Sequence, residues 1–120
     1  GGWEPYLGGS VHRGMLFCMI NLWNRVQEQL FEQLDKFPSY QFVISGHSLG
    51  AGVTSLFALK FKHDFPDRPM RAFAYACPCT MSENLSIGCK DYITTFVNGD
   101  DCVPRLSIGS LELIKLSMRR

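Results

Sequence analysis

The chain has 120 residues, 46% of them hydrophobic and 19% charged, which is the composition of a globular protein and argues against a disordered segment. Twelve basic and 11 acidic residues leave a net charge of +1, so nothing in the charge favours binding to nucleic acid. The five cysteines contain no C-x-x-C pair, which argues against a zinc site or a disulfide framework, and no apolar run approaches the roughly 20 residues that cross a bilayer.

The first half of the chain predicts a loop, a helix, a strand and a second helix. Glycine-rich residues 1–10 are predicted as loop. Apolar residues then recur at helical spacing over residues 15–34, and Pro38 ends this helix. The continuous apolar run within residues 40–45 predicts a short strand that is covered on both faces. A second helix is predicted over residues 49–62.

The second half predicts two further strands, over residues 70–76 and 92–97, where aromatic and small apolar residues lie between proline and polar turn residues. Residues 82–89 are predicted as a loop or short helix, and residues 110–118 as a short amphipathic helix. Strands that alternate with helices predict an α/β fold with a mostly parallel sheet and crossover helices.

The pentapeptide Gly-His-Ser-Leu-Gly at residues 46–50 matches the pattern G-x-S-x-G, between a predicted strand and a predicted helix. A sharp turn at this place holds Ser48 in a strained backbone conformation and lifts its hydroxyl out of the sheet into the open. Gly46 and Gly50 are needed because flanking side chains would collide. Ser48 is therefore predicted as a nucleophile, and the alternative is a turn without chemistry.

The helix that follows Ser48 is predicted to assist it. Its N-terminus directs free N–H groups and the positive end of the helix dipole at the serine, so the N–H of Leu49 is the expected oxyanion donor. The small residues Ala51 and Gly52 are expected to let this helix approach the preceding strand closely.

A serine hydroxyl needs a base, and the expected order in this architecture is serine, acid, histidine. Asp100 and Asp101 follow the last predicted strand, at the sheet edge where active sites form, although turn aspartates are the alternative. No histidine follows them. His12 is predicted to be structural, His47 to be a packed spacer in the turn, and His63 to lie exposed near a helix end. The base is thus expected beyond Arg120, or not to exist.

Four stretches resemble the class 3 lipases, and among them most closely the sn-1-specific diacylglycerol lipases. Each resembles one family segment, and together they span almost the whole chain in the family's order. They are VHRGML at residues 11–16, VISGHSLGAG at 43–52, FAYACPCTMSENL at 73–85 and VNGDDCVPRLSIGSLE at 97–112.

The resemblance implies an α/β-hydrolase fold, with residues 1–120 as the central part of a single catalytic domain. It carries the nucleophile to Ser48, and it selects Asp101 over Asp100 as the acid because the family's acid directly precedes x-V-P. The second oxyanion donor and the catalytic histidine are expected outside these residues, so the isolated segment is expected to be inactive. The sequence Cys77-Pro78-Cys79 departs from the family's segment, whose loop borders the acyl site in the family.

The implied activity is hydrolysis of a glycerolipid acyl ester, in particular the sn-1 ester of diacylglycerol, which releases a fatty acid and a monoacylglycerol. No metal or organic cofactor is implied. The substrate would be met at a membrane or lipid interface, with the catalytic domain on the cytoplasmic side, and no oligomeric state is predicted.

Three alternatives stay open at this point. The chain could belong to a general carboxylesterase or a triacylglycerol lipase, or to a lipase-like protein that only binds.

Met81, Leu85 and Ile87 are candidates for an acyl groove, and the other interpretation is that they fill the core.

Overall fold

The computed structural model describes residues 2–75 and 80–96, together with the backbone of residues 115–119. Its elements in chain order are β1 (Trp3–Tyr6), β2 (Gly9–His12), α1 (Arg13–Lys36), β3 (Gln41–His47), α2 (Leu49–Asp64), β4 (Met70–Tyr75), α3 (Glu83–Gly88), β5 (Ile93–Phe96) and β6 (Lys115–Arg119). The helices and strands predicted between residues 15 and 97 are confirmed, with boundaries that shift by a few residues. In the described part of the chain, no helix is both long and apolar enough to span a membrane.

The main sheet has four strands in the order β5-β4-β3-β6. β3 pairs with β4, and β4 with β5, in parallel register, and α2 and α3 form the connections between these pairs. β6 pairs antiparallel with β3 on its other side. The predicted α/β fold with a mostly parallel sheet is confirmed. The carboxyl ends of β3 and β4 therefore lie side by side, with His47 opposite Tyr75.

Two predictions at the ends of the chain are wrong. Residues 1–10 were expected to be loop, but β1 and β2 form an antiparallel hairpin that turns at Leu7 and Gly8, both with positive φ (46° and 86°). Residues 110–118 were expected to be a helix, but the described part of that region is the strand β6. The sequence there alternates apolar Ile114, Leu116 and Met118 with polar residues, which is the period of a strand.

The core is built around α2, which packs on one face of the sheet and is covered by α1 on its other side. The ring of Phe61 stacks on Phe42 of β3 with centroids 4.3 Å apart, and Phe57 meets Trp23 of α1 at 4.9 Å. Almost every residue of α2 between Gly50 and Phe61 is buried, as expected of a helix that is apolar on all sides. This burial holds α2, and hence its first turn, firmly against the sheet.

The opposite face of the sheet is less covered than predicted. In β3 the side chains alternate between buried and half-buried, so only the face toward α2 is fully buried. On the other face the rings of Tyr75 and Phe96, both partly exposed, stack at 4.7 Å. The expectation that β3 is covered on both faces is therefore wrong for the described residues.

Arg68 ties the connection before β4 to the end of α1. Its guanidinium donates hydrogen bonds to the carbonyl oxygens of Leu34 (3.2 Å), Phe37 (2.6 Å) and Tyr40 (3.2 Å). These carbonyls lie at and after the C-terminus of α1, where backbone oxygens lack helical partners. A single half-buried side chain thus anchors the end of α1 that is remote from the hairpin.

Tyr92 precedes β5 and is half-buried. Burial, with a smaller electrostatic contribution from Cys89, raises the pKa of the Tyr92 phenol to about 12. Cys89 is buried, and its thiol lies 3.3 Å from the carbonyl oxygen of Ser86, whereas Cys18 is exposed.

Candidate active site

The junction between β3 and α2 has the geometry that the pattern G-x-S-x-G predicts. Ser48 lies between the last residue of β3 and the first of α2, with φ 57° and ψ −122°, a conformation that L-residues rarely adopt. Its N–H donates to the carbonyl of Tyr75 at 2.8 Å, and its own carbonyl accepts from the N–H groups of Ala51 and Gly52. The turn is therefore fixed to the neighbouring strand on one side and to the new helix on the other.

Gly46 has no room for a side chain. A Cβ added there would overlap the carbonyl oxygen of Gly50 and the Oγ1 of Thr54. Both atoms belong to the first turns of α2, so the helix lies directly against the strand at this point. The prediction that glycine is required at Gly46 is borne out by this packing.

Gly52 has a different role from the one predicted. An added Cβ would overlap the Sδ of Met15 and lie 2.7 Å from the Cγ2 of Thr80. Gly52 thus faces α1 and the segment before α3 rather than the strand. The close approach of α2 to the strand occurs at Gly46 instead.

Leu49 is the first residue of α2 and is half-buried. The first N–H groups of a helix have no acceptor within the helix and lie at the positive end of its dipole. An oxygen that acquires negative charge beside Ser48 would be stabilised by such a donor. The position of Leu49 is therefore compatible with its predicted role as an oxyanion donor.

The serine is covered in this structure. Ser48 is only 5% exposed, so the expectation that its hydroxyl stands in the open is wrong. The backbone conformation of the turn is set by its hydrogen bonds and by the packing at Gly46.

The three histidines occupy different places. His47 is exposed at the end of β3, on the face of the sheet away from α2, so its predicted role as a packed spacer is wrong. His63 lies exposed near the end of α2 with its Nδ1 3.2 Å from Asp64, as predicted. His12 caps the N-terminus of α1, where its Nδ1 accepts from the N–H of Met15, which confirms a structural role.

The predicted acid, Asp101, and its neighbour Asp100 lie outside the described residues, as does the loop Cys77-Pro78-Cys79. Their predicted roles stay predictions. Within the described ranges, no group of three or more His, Cys, Asp and Glu side chains is placed to hold a metal ion.

The acyl-groove candidates divide into two kinds. Met81 and Leu85 are partly buried and pack against the hydrophobic core. Leu85 also lies against Gly9 of β2, where an added Cβ would be 2.5 Å from its Cγ. Ile87 is 56% exposed. The core-filling interpretation thus fits Met81 and Leu85. For Ile87, no contact among the described residues supports either the acyl-groove or the core-filling interpretation.

Sequence reasoning missed Thr54, which lies beneath the turn. Its Oγ1 is buried next to Gly46 and has no hydrogen-bond partner among the described residues. The available signal was the polar pair Thr54 and Ser55 within the otherwise apolar stretch of residues 49–59.

Comparison with known proteins identifies the family. The profile of the family Lipase (class 3) matches residues 3–110. The chain is 37% identical over 84 residues to diacylglycerol lipase-beta of Mus musculus, and the matched region covers 69% of this chain and 12% of that protein. It is 30% identical over 105 residues to secreted mono- and diacylglycerol lipase 3 of Gibberella zeae, covering 82% and 33%. The chain thus spans a minor part of each relative.

Solved structures show the same fold at lower identity. Lipase II from Rhizopus niveus superposes with a TM-score of 0.76 at 22% identity, over 87% of this chain and 43% of that one. The native propeptide complex of Rhizomucor miehei lipase superposes with a TM-score of 0.75 at 24% identity, over 87% and 36%. The fold is that of the α/β-hydrolase lipases, and because the family profile covers most of its length, the chain belongs to the class 3 lipase family.

Proposed function

We propose that Ser48 is the nucleophile of a serine lipase that hydrolyses an acyl ester of a glycerolipid. The observation that supports this most directly is the conformation of Ser48, with φ 57° and ψ −122°, at a junction between a parallel strand and a helix. Such strain persists only where the surrounding structure enforces it, and it clusters at functional sites. Here the packing at Gly46 and the hydrogen bond to Tyr75 enforce it.

In the proposed reaction, the Ser48 hydroxyl loses its proton to a histidine and attacks the ester carbonyl. The N–H of Leu49, with a second donor, stabilises the tetrahedral oxyanion. Asp101 orients the histidine and stabilises its imidazolium form. The histidine then protonates the leaving glyceride alcohol, and water attacks the acyl-enzyme to release the fatty acid and restore the serine.

Each of the three described histidines has another place in the fold: His12 caps α1, His47 is exposed at the end of β3, and His63 lies beside Asp64 near the end of α2. We therefore propose that another part of the protein supplies the base, and that residues 1–120 are the central part of a single catalytic domain. On this proposal the 120 residues alone would turn over no ester.

For the substrate we propose diacylglycerol, cleaved at the sn-1 ester to give a monoacylglycerol. The similarity to diacylglycerol lipase-beta, at 37% identity over 84 residues, supports this substrate class. Glycerolipids lie in membranes or other lipid assemblies, so the enzyme would act at a lipid interface. The predicted cytoplasmic side of that interface stays a prediction, since another relative is named as secreted.

The test uses the full natural protein that carries this chain, with Ser48→Ala and with Ser86→Ala as a matched control. Ser86 is exposed in α3, so its loss removes a hydroxyl without disturbing the turn. The substrates are diacylglycerol with different acyl chains at sn-1 and sn-2, a triacylglycerol and a short soluble ester, and mass spectrometry identifies the released acid.

We expect release of the sn-1 acid by the wild type and by Ser86→Ala, and none by Ser48→Ala. Turnover mainly of triacylglycerol or of the soluble ester would instead assign a general lipase or carboxylesterase. A protein that binds diacylglycerol without any Ser48-dependent release would be a binding module, and the proposal would be wrong.

A further inference from the structure

The first turn of α2 is held in place from the side of α1 as well as from the sheet. Gly52, four residues after Ser48, is contacted by Met15 of α1 and by Thr80, which are only 5% and 4% exposed. The N–H of Gly52 donates to the carbonyl of Ser48 at 3.3 Å. Because Gly52 has no side chain, its Cα lies directly against the side chains of Met15 and Thr80 in the same turn that carries the serine.

Both of these neighbours are tethered to one residue, His12. Its ring Nδ1 accepts a hydrogen bond from the N–H of Met15 at 3.2 Å, and its backbone N–H donates to the carbonyl of Thr80 at 2.7 Å. Gly14 leaves room for this arrangement, since a Cβ added there would lie 3.2 Å from the Cε1 of the His12 ring. His12 is thus a common anchor for the backbones of the two residues whose side chains pack on Gly52.

We propose that His12 is a positioning residue for Ser48. Its imidazole fixes the first turn of α1 and its backbone fixes Thr80, and through Met15 and Thr80 these contacts set where α2 begins. This inference rests on the proposed role of Ser48 as a nucleophile. It differs from simple helix capping, because a cap that only stabilised α1 would change the folded fraction and not the reactivity of Ser48.

The hydrogen bond between the His12 Nδ1 and the N–H of Met15 indicates which residue could replace His12 and keep Met15 in position. The Nδ1 acts as an acceptor from a backbone N–H in the first turn, a task that an asparagine side-chain oxygen performs at many helix N-termini, whereas alanine offers no acceptor. His12→Asn should therefore retain the position of Met15, and His12→Ala should release it. The backbone bond to Thr80 is available to both variants.

The experiment measures the rate constant with which a fluorophosphonate labels Ser48 in the full natural protein, expressed per folded molecule. The variants are His12→Ala, His12→Asn and Ser48→Ala. Arg68→Ala is the matched control, because it frees the opposite end of α1, where Arg68 binds three carbonyls, without touching Gly52. Turnover of a soluble ester gives kcat and KM for the same set.

We expect His12→Ala to lower the labelling rate constant and kcat by about tenfold, with KM little changed, because small displacements of a nucleophile cost rate rather than binding. His12→Asn should recover the rate to within about threefold, since the cap acceptor is restored. Arg68→Ala should lower the thermal midpoint and leave the rate constant per folded molecule unchanged.

The proposal would be overturned by a wild-type rate constant in folded His12→Ala, or by an equal loss in Arg68→Ala. If His12→Ala does not fold, Thr80→Ser decides, because it removes only the methyl that packs on Gly52: a slower rate constant supports the proposal and an unchanged one refutes it. Labelling that persists in Ser48→Ala would show instead that the nucleophile itself is assigned wrongly.

Discussion

Replacing Gly46 by alanine tests the packing that holds the serine turn. The added Cβ would overlap the carbonyl oxygen of Gly50 and the Oγ1 of Thr54. Ordinary non-bonded contacts need about 3.5 Å, so the start of α2 would have to retreat by about 1 Å. Overpacking of this kind costs about 1–3 kcal/mol in the free energy of unfolding. A displacement of about 1 Å at a reacting group costs about 100-fold in rate.

The assay pairs urea unfolding with the rate of fluorophosphonate labelling, in the full natural protein. Gly88→Ala is the matched control, because Gly88 is also exchanged for alanine but an added Cβ there meets nothing within 4 Å. We expect Gly46→Ala to lose about 1–3 kcal/mol of stability and about 100-fold in labelling rate, and the control to keep both. A Gly46→Ala variant with wild-type stability and labelling would refute the idea that the contact between strand and helix fixes the nucleophile.

Three further predictions concern stability. Gly52→Ala should lower the free energy of unfolding by about 1–2 kcal/mol in urea titrations, with the lower value if the flexible Met15 repacks; no loss would contradict the close contact. Arg68→Ala should lower it by about 2 kcal/mol, because three carbonyls lose a charged donor, and Arg68→Lys should recover only part; full recovery by lysine would argue against the forked geometry. Burial raises the pKa of Tyr92 to about 12, so the unfolded state loses this proton near pH 10 while the folded state keeps it. Stability should therefore fall between pH 10 and about 12, and less steeply in Tyr92→Phe; equal slopes would show that Tyr92 does not cause the fall.

The central α/β unit could be predicted from sequence because its signals are local. The apolar run of β3 ends at Gly46, and a long apolar segment follows Ser48 with no proline before Pro66, so the strand, turn and helix are each specified by their own residues. The same locality explains why the conformation of Ser48 could be anticipated.

The two ends of the chain show where local signals were misread. In the hairpin, the abundance of glycine favoured a loop, although Leu7-Gly8 between two short segments with Trp3, Tyr6 and Val11 fits a two-residue turn. At β6, leucine-rich residues favoured a helix, although the alternation fits a strand, and the pairing with β3 decided between them.

Long-range features of the site were beyond sequence reasoning. The contact of Met15 with Gly52 joins residues on different helices, and no pattern in either helix specifies its partner. The exposure of His47 and the burial of Ser48 depend on which neighbouring segments cover each face of the sheet. Asp101 was selected only through its resemblance to a family segment, and its placement lies outside the described residues.

The most direct test of the account is to locate the covalent adduct. The full natural protein would be reacted with a fluorophosphonate, digested, and analysed by peptide mass spectrometry. The account predicts one modified residue, Ser48, on the peptide that spans the turn between β3 and α2. Protein that is denatured before the reagent is added should carry no adduct. An adduct on a different residue, or none on the folded protein under conditions where it hydrolyses esters, would contradict it.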